Sequence, residues 1–484
     1  MTLQTLIEEL SRRPGTGEVI PIIDPATEET IAEFTDGGAA AVDEAVARAR
    51  ASFESGVWRN KPANERAKIL WRIADLIDEH ATELAEIDSI NTGMPYTQAH
   101  MIMSTSADIF RYYGGWCTKV NGIAHDIQMT GGITGAHSNL HGYTLKEPYG
   151  VVGLIFPWNG PVFNACTKLA PALAAGCSSV VKPAEETPLS ALLLMKILER
   201  AGVPEGVVNL VTGYGHTAGA ALAGHPGVDK IAFTGSTEVG KRIVQASTGN
   251  LKRVTLELGG KSPVLIYDDA DLNMAITMAA MGIFIHSGQG CICGSRVFVQ
   301  RGVYDQVVEG IANVANSVQL GGPADEHALI GPLISQKQLG RVMGYIDEGR
   351  RDGVEVVTGG HRLERRGYFV HPTVLTDVDP EMRLYQQEIF GPVVAVLPFD
   401  DDDQVVTLAN NSDYGLAATV WTRDISRAHQ LAKRLQSGTV SLNCQMVFDP
   451  SMPFGGHKQS GWGYEWGRDG IESYLQTKTV YAQL

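Results

Sequence analysis

One cysteine of this chain sits where a thiol can react. Cys291 follows a Gly-Gln-Gly turn in Gly288-Gln289-Gly290-Cys291-Ile292-Cys293-Gly294-Ser295-Arg296, just ahead of the apolar run Val297-Phe298-Val299. A thiol on a glycine-rich bend is open to a ligand, and the backbone N–H groups around it are expected to favour the thiolate. Upstream, Leu256-Glu257-Leu258-Gly259-Gly260-Lys261 places a single carboxylate in an apolar and glycine frame. A nucleophilic thiol and an isolated carboxylate are the parts needed to form a thioester and then hydrolyse it. Seen alone, either residue reads better as packing.

The elements that must hold these groups follow from hydrophobic spacing. Val42, Ala45, Val46, Ala49 and Phe53 recur at helical intervals, and so do Ile69, Ile73, Leu76 and Ile77, which predicts a mainly helical first part. From Gly150 the pattern changes to short apolar runs at 151–156, 178–181, 207–211 and 230–233, as expected of buried strands. Helical stretches separate them, one starting with Thr187 as N-cap and Pro188 in the first turn. Alternating strand and helix implies a parallel sheet in an α/β domain. A second α/β run follows from about residue 258, with strands at 264–267, 297–299 and 393–396. The Asp400-Asp401-Asp402-Asp403 run reads as a solvated turn leading into a helix. Residues 124–147, including Thr130-Gly131-Gly132-Ile133-Thr134-Gly135, read as hairpin or loop, and Thr477-Lys478-Thr479-Val480-Tyr481 reads as a strand.

Two glycine-rich turns are candidates for a dinucleotide. Gly213-Tyr214-Gly215-His216-Thr217-Ala218-Gly219 is close to G-x-G-x-x-G, but its third glycine comes one residue late. Gly235-Ser236-Thr237-Glu238-Val239-Gly240 follows the run ending at Phe233 and opens a helix. Its N–H groups and the Ser236 hydroxyl suit a pyrophosphate.

Together these stretches resemble the aldehyde dehydrogenase superfamily, in which Gln-x-Cys carries the nucleophile and Glu-Leu-Gly-Gly-Lys the general base. Pro157-Trp158-Asn159, Lys182-Pro183-Ala184-Glu185, Glu388-Ile389-Phe390-Gly391-Pro392 and Pro453-Phe454-Gly455-Gly456 extend the resemblance, in family order, from about residue 20 onward. It implies Cys291 as nucleophile, Glu257 as base, Asn159 with the Cys291 N–H as oxyanion donors, and Lys168 as electrostatic support for the cysteine or Asn159. It implies a cofactor cradle of Ile155, Phe156, Pro157, Trp158, Lys182, Ala184, Glu185, Gly215, Gly219, Phe233, Thr234, Gly235, Ser236, Val239, Leu258, Gly259, Gln338, Glu388 and Phe390. Glu185 can accept from ribose hydroxyls and repel a 2′-phosphate, favouring NAD, with NADP as the alternative that Lys182 could tolerate. Gly160, Asn164, Thr167, Ile292, Phe448 and Phe454 are the implied aldehyde contacts. Small residues at 160 and 167 point to a roomy, neutral tunnel for an aromatic or medium-to-long apolar aldehyde, so the chain is similar to members acting on phenylacetaldehyde or benzaldehyde. Two positions depart from the family pattern, His286 and Gly463-Tyr464-Glu465, and neither is expected to touch the chemistry. The implied fold is α/β: a Rossmann-like NAD-binding domain (1–123 and 148–257), an α/β catalytic domain (258–459) and a small β oligomerisation arm (124–147 and 460–484), in a homodimer or homotetramer.

Bulk properties agree with an enzyme acting on a small molecule. The chain has 484 residues, 44% hydrophobic and 19% charged, enough for more than one domain. Its net charge of -15, without a basic block, argues against nucleic acid or anionic membrane as partner. No signal-peptide pattern opens the sequence and no apolar run is long enough to span a bilayer, so a cytoplasmic location is expected. Six cysteines in so long a chain make no disulfide framework, and Cys291-x-Cys293 lacks a second cluster for a metal. Cys117, Cys166, Cys177 and Cys444 are expected to pack in cores. Cys293 reads as packing or as a redox partner of Cys291. Two other functions remain open: a non-catalytic member of the fold, and an enzyme that passes its acyl group to coenzyme A. Family members of the latter kind generally lack the base that Glu257 matches.

Overall fold

The apolar runs after Gly150 form strands buried on both faces. In the computed structural model, which describes residues 3–11, 17–129 and 138–483, helix α1 (Leu3–Ser11) and the hairpin of β1 (Val19–Asp24) and β2 (Glu29–Thr35) come first. Four helices follow: α2 (Gly38–Ser55), α3 (Ala63–Glu79), α4 (Ala81–Thr92) and α5 (Tyr96–Trp116). The antiparallel pair β3 (Ala124–Met129) and β4 (Ser138–Pro148) leaves this layer; the expected turn at 130–135 lies outside the described residues.

Five parallel strands come next: β5 (Val151–Ile155), β6 (Ser178–Lys182), β7 (Val208–Leu210), β8 (Lys230–Thr234) and β9 (Arg253–Glu257). Their spatial order, β7-β6-β5-β8-β9, is the doubly wound order in which direction reverses beside β5. Every residue of β5 and β6 is buried, which explains the apolar run of β5 and of Val180-Val181, while β6 also buries Ser178, Ser179 and Lys182. Helices α6 (Pro161–Ala175), α7 (Leu189–Ala201) and α9 (Thr237–Ser247) connect the strands, and a π-turn at Gly215–Gly219 runs into the short α8 (Ala220–Gly224). One start signal was misread. Pro188 stands before α7 as its cap residue, and no Thr187 side-chain bond caps the helix; the Thr187 hydroxyl is buried without a partner.

The second run builds a seven-stranded sheet. Its strands are β10 (Pro263–Ile266), β11 (Arg296–Gln300), β12 (Glu355–Thr358), β13 (Thr373–Thr376), β14 (Val393–Phe399), β15 (Ala417–Trp421) and β16 (Thr439–Leu442), ordered β12-β13-β14-β11-β10-β15-β16. Helix α10 (Leu272–Phe284), capped by Asp271, lies between β10 and β11. Asp401 caps the helix Asp402–Asn410, as the acidic run suggested. Arg296, fully buried, donates to the carbonyls of Leu408, Ala409 and Asn411 at that helix's far end, where unpaired carbonyls favour a cation.

The last elements divide between two sheets. β17 (Gly461–Trp462), in the segment expected to belong to the arm, pairs antiparallel with Leu256 and Glu257 of β9. β18 (Leu475–Gln483) pairs with β4, making the three-stranded sheet β18-β4-β3.

Candidate active site

The turn that carries Cys291 is forced by its backbone. After α10, His286 and Ser287 adopt left-handed conformations (φ 50 and 56), followed by Gly288 at φ 69. A Cβ at Gly288 would lie 2.1 Å from the Gly391 carbonyl oxygen, so only glycine lets the two loops meet. Ser287 donates to the Gly331 carbonyl (2.6 Å), and Gln289 Oε1 accepts from the Ile334 N–H (2.9 Å). The Cys293 N–H then donates to the Gly290 carbonyl (3.1 Å), leaving Cys291 and Ile292 at the tip of a tight turn. Helix α6 is tied to this turn at its start, where Asn159 Nδ2 donates to the Gln289 carbonyl (2.8 Å).

The electrostatics of the thiol differ from expectation. Burial pushes the Cys291 thiol well up, and the Glu388, Glu257 and Cys293 charges push the same way; only its own backbone N–H opposes them. Burial and the neighbouring acidic groups thus oppose the thiolate that the glycine-rich bend was expected to favour. Cys293 is buried in the core around β10 and α10, its thiol pushed up to about 12 by burial, which supports packing. Cys293→Ala is expected to keep most of the wild-type kcat/KM, with a loss of stability of about 1 kcal/mol from one small cavity, read by thermal unfolding. Cys117, Cys166 and Cys177 are buried as anticipated, but Cys444 is exposed, since it lies on the loop that leaves the sheet after β16.

Glu257 ends β9 with its carboxyl buried and Oε2 without a hydrogen-bond partner. Burial raises its pKa well above the carboxylate range; the Glu465 charge adds to this and Lys168 opposes it. Lys168 is also buried. It donates to Thr234 Oγ1 (2.7 Å) and pairs directly with Glu465. The resemblance assigns Lys168 to Cys291 or Asn159; its bonds are to Thr234 and Glu465, and its charge acts on Glu257. Glu465, expected not to touch the residues assigned to chemistry, is its ion-pair partner. The other departure also reaches the site: burial pulls the His286 imidazole down to about 4, offset in part by a hydrogen bond with the Asn159 backbone.

The residues matched to a cofactor line the carboxyl ends of β5, β6 and β8, the crevice where doubly wound sheets bind ligands. Ile155, Phe156 and Ala184 are buried, Pro157 and Trp158 half-buried. Lys182 Nζ donates to the Pro183 carbonyl (2.9 Å) and to Glu185 Oε2 (3.3 Å), while Glu185 Oε1 accepts from the Gly215 N–H (3.4 Å). A Cβ at Gly219 would touch the Lys182 stem at 3.7 Å. At the mouth of α9, Ser236 caps the helix by accepting from the Val239 N–H (3.4 Å), with Val239 exposed. A Cβ at Gly235 would come within 2.4 Å of the Phe233 ring, so glycine keeps this helix start bare. Leu258 is buried beside Gly240. Glu388 accepts from the Gly260 N–H (2.9 Å) and crowds Gly259; burial holds its carboxyl at about 7. Gln338 donates to the carbonyls of Phe390 (2.6 Å) and Ile389 (3.2 Å), and the Phe390 ring meets Trp158 edge-on at 5.3 Å.

The residues matched to the aldehyde meet an aromatic cluster. Gly160 caps α6, Asn164 faces it through a 2.9 Å bond to the Gly160 carbonyl, and Ile292 is half-exposed on the cysteine turn. The Thr167 hydroxyl is not free: it accepts from Trp466 Nε1 (3.2 Å). Trp466 also packs against Phe163, Phe448 and Phe454 at centroid distances of 5.7, 5.8 and 5.3 Å. Its indole fills space that Thr167 leaves, so the room expected from the small side chain at 167 is taken up by Trp466. Trp466 holds φ 61 and ψ 179, a region that suits glycine and costs about 1–3 kcal/mol for other residues. Phe163 and Trp466 went unread in the sequence. Phe163 was within reach, since it lies one helical turn before Thr167, a position already matched to the aldehyde. Trp466 had no local signal.

Among the described residues, no group of three or more His, Cys, Asp or Glu could hold a metal, and no helix is long and apolar enough to cross a membrane. A family model described as "Aldehyde dehydrogenase family" matches residues 12–480. The chain is 44% identical to the mitochondrial benzaldehyde dehydrogenase of Antirrhinum majus over 97% of its own length and 87% of the relative's. It is also 44% identical to retinal dehydrogenase 2 of Homo sapiens, covering 97% and 89%. Its fold matches the NAD+ complex of an aldehyde dehydrogenase from Bacillus cereus with a TM-score of 0.92 and 45% identity, covering 96% of this chain and 94% of that one.

Proposed function

The chain belongs to the aldehyde dehydrogenase family, and from that premise we propose that it oxidises an aromatic or medium-to-long apolar aldehyde to the carboxylic acid with NAD as oxidant. The observation that carries the reading is the convergence of three groups: the Cys291 turn, Asn159 tied to it at 2.8 Å, and the buried Glu257 whose charge bears on the thiol. The bare helix start at Gly235, the glycines beside Lys182 and Glu185, and the Gly260-bound Glu388 fit a dinucleotide. A relative solved with NAD+ supports that cofactor. When bound, NAD supplies the acceptor for the hydride that leaves the substrate carbon, turning the Cys291 adduct into a thioester. Glu185, already accepting a backbone N–H, is set to accept from ribose hydroxyls and to disfavour a 2′-phosphate.

The chain's own residues then have these tasks. Cys291 gives its proton to solvent water and its sulfur adds to the carbonyl carbon. The second N–H of the Asn159 amide and the Cys291 backbone N–H hold the oxyanion, each such donor being worth about 3 kcal/mol. Glu257 takes a proton from the water that attacks the thioester, the C–S bond breaks, and the acid leaves as the Cys291 thiolate takes a proton from solvent. Lys168 and Glu465 stand behind Glu257 as a route for that proton. Benzaldehyde and retinal dehydrogenases among the relatives support an apolar substrate.

A panel assay tests the reading. NADH formation should give kcat/KM rising from acetaldehyde through hexanal to benzaldehyde and phenylacetaldehyde, by roughly 1 kcal/mol for each methylene or ring edge buried. Coenzyme A should not be required, because Glu257 supplies hydrolysis. A preference for acetaldehyde, succinic semialdehyde or betaine aldehyde over every apolar substrate would sink this substrate class.

A further inference from the structure

We propose that Trp466 sets the upper length of the aldehyde the site accepts, selecting compact aromatic aldehydes over long alkyl ones; the inference rests on the reading of the site as an aldehyde tunnel. Helix α6 is the ruler. Asn159, bonded to the cysteine turn, lies two residues ahead of it, and within the helix positions 163, 164 and 167 share one face by their spacing. At 1.5 Å per residue, Thr167 lies about 6 Å beyond Phe163 along the axis. The indole of Trp466 closes this face at Thr167, held by the 3.2 Å bond from its Nε1 and by Phe163, Phe448 and Phe454 around it. Trp466 is 4% exposed and Phe448 38%, so the cluster runs from a fixed indole inside to a ring at the surface. A large side chain persists at φ 61 only when its surroundings over-determine it, and such outliers gather where a ligand is clamped.

A substrate with its carbonyl between Asn159 and Cys291 that runs along this face therefore meets a wall at Thr167, in the second turn of α6. A benzene ring meets Phe163 edge-on within that distance, a favourable aromatic geometry. A long alkyl tail must displace the indole or leave past Phe448 into water.

The test compares kcat/KM for dodecanal and benzaldehyde in the wild type, Trp466→Leu and Trp466→Phe. Trp466→Leu should raise the dodecanal-to-benzaldehyde ratio by roughly tenfold or more, and Trp466→Phe, which keeps a ring but loses the N–H, by less. Thr167→Val, which frees the indole, should move the ratio in the same direction and carries the comparison if Trp466→Leu does not fold. Ratios within about twofold of wild type in all variants overturn the inference. So does an equal loss of rate with every aldehyde, which would assign Trp466 to support of Glu465. A wild-type protein that makes no NADH from any aldehyde overturns the parent reading itself.

Discussion

Cys291→Ala is expected to abolish aldehyde-dependent NADH formation, a loss on the order of 10⁴-fold or more, while NAD binding measured by fluorescence titration stays close to wild type. The two effects separate because of where the groups lie. The proposed cofactor contacts come from the ends of β5, β6 and β8 and from the Glu388–Phe390 loop, and none needs the Cys291 sulfur. The turn itself is fixed by Ser287, Gly288, Gln289 and the Gly290–Cys293 bond, which alanine leaves intact. No other described thiol can substitute. Cys293 is buried in the core behind the turn, and Cys444 stands exposed on another loop. An active Cys291→Ala together with a dead Cys293→Ala would mean that the register of this motif has been misassigned.

The second large effect concerns the base. Glu257→Gln should give a burst of NADH of about one per active site, followed by turnover slowed by on the order of 10²–10⁴-fold. Mass spectrometry should then find Cys291 acylated. The buried carboxyl fixes the sign of the pH dependence as well. Burial and Glu465 hold the Glu257 pKa well above its usual range, with Lys168 opposing, so the basic form is populated only as pH rises. Wild-type turnover limited by deacylation should therefore increase with pH through that raised pKa, and the Gln variant should flatten the profile. Loss of the burst itself would show that Glu257 acts earlier, on the thiol.

What could be read from the chain depended on the range of the signal. Strands β5, β6 and β8 were legible because parallel strands buried on both faces carry apolar runs, whole in β5 and confined to the centre in β6 and β8. Cys291, Asn159 and Glu257 were legible because each sits in a short motif. The Lys168–Glu465 pair was not, because its members are 297 residues apart and the ion pair exists only after the chain returns to β9. The same return hid Trp466, whose backbone conformation contradicts local preference. The state of the thiol was misjudged for a related reason. Glycine content told of nearby N–H groups, while the opposing carboxylates, Glu257 and Glu388, arrive from other segments. Thr187 failed as a cap because a local signal was overridden by burial.

The pairing of β17 with the end of β9 also fixes when the site comes into being. Glu257 reaches its place with β9, and Lys168 with α6, but the acidic partner of Lys168 and the indole against Thr167 follow four and five residues after Gly461. A ribosome delivers these late residues after both large sheets, and domains fold in the order in which they emerge. Closing a contact over 297 residues also carries a large entropic cost that only a preformed sheet edge can recover. A chain lacking its last stretch thus lacks the acidic partner of Lys168 and the indole against Thr167, and catalytic competence is expected to arrive late in biosynthesis. The same edge should be among the first to let go on mild heating, so activity is expected to fade before the bulk of the fold melts.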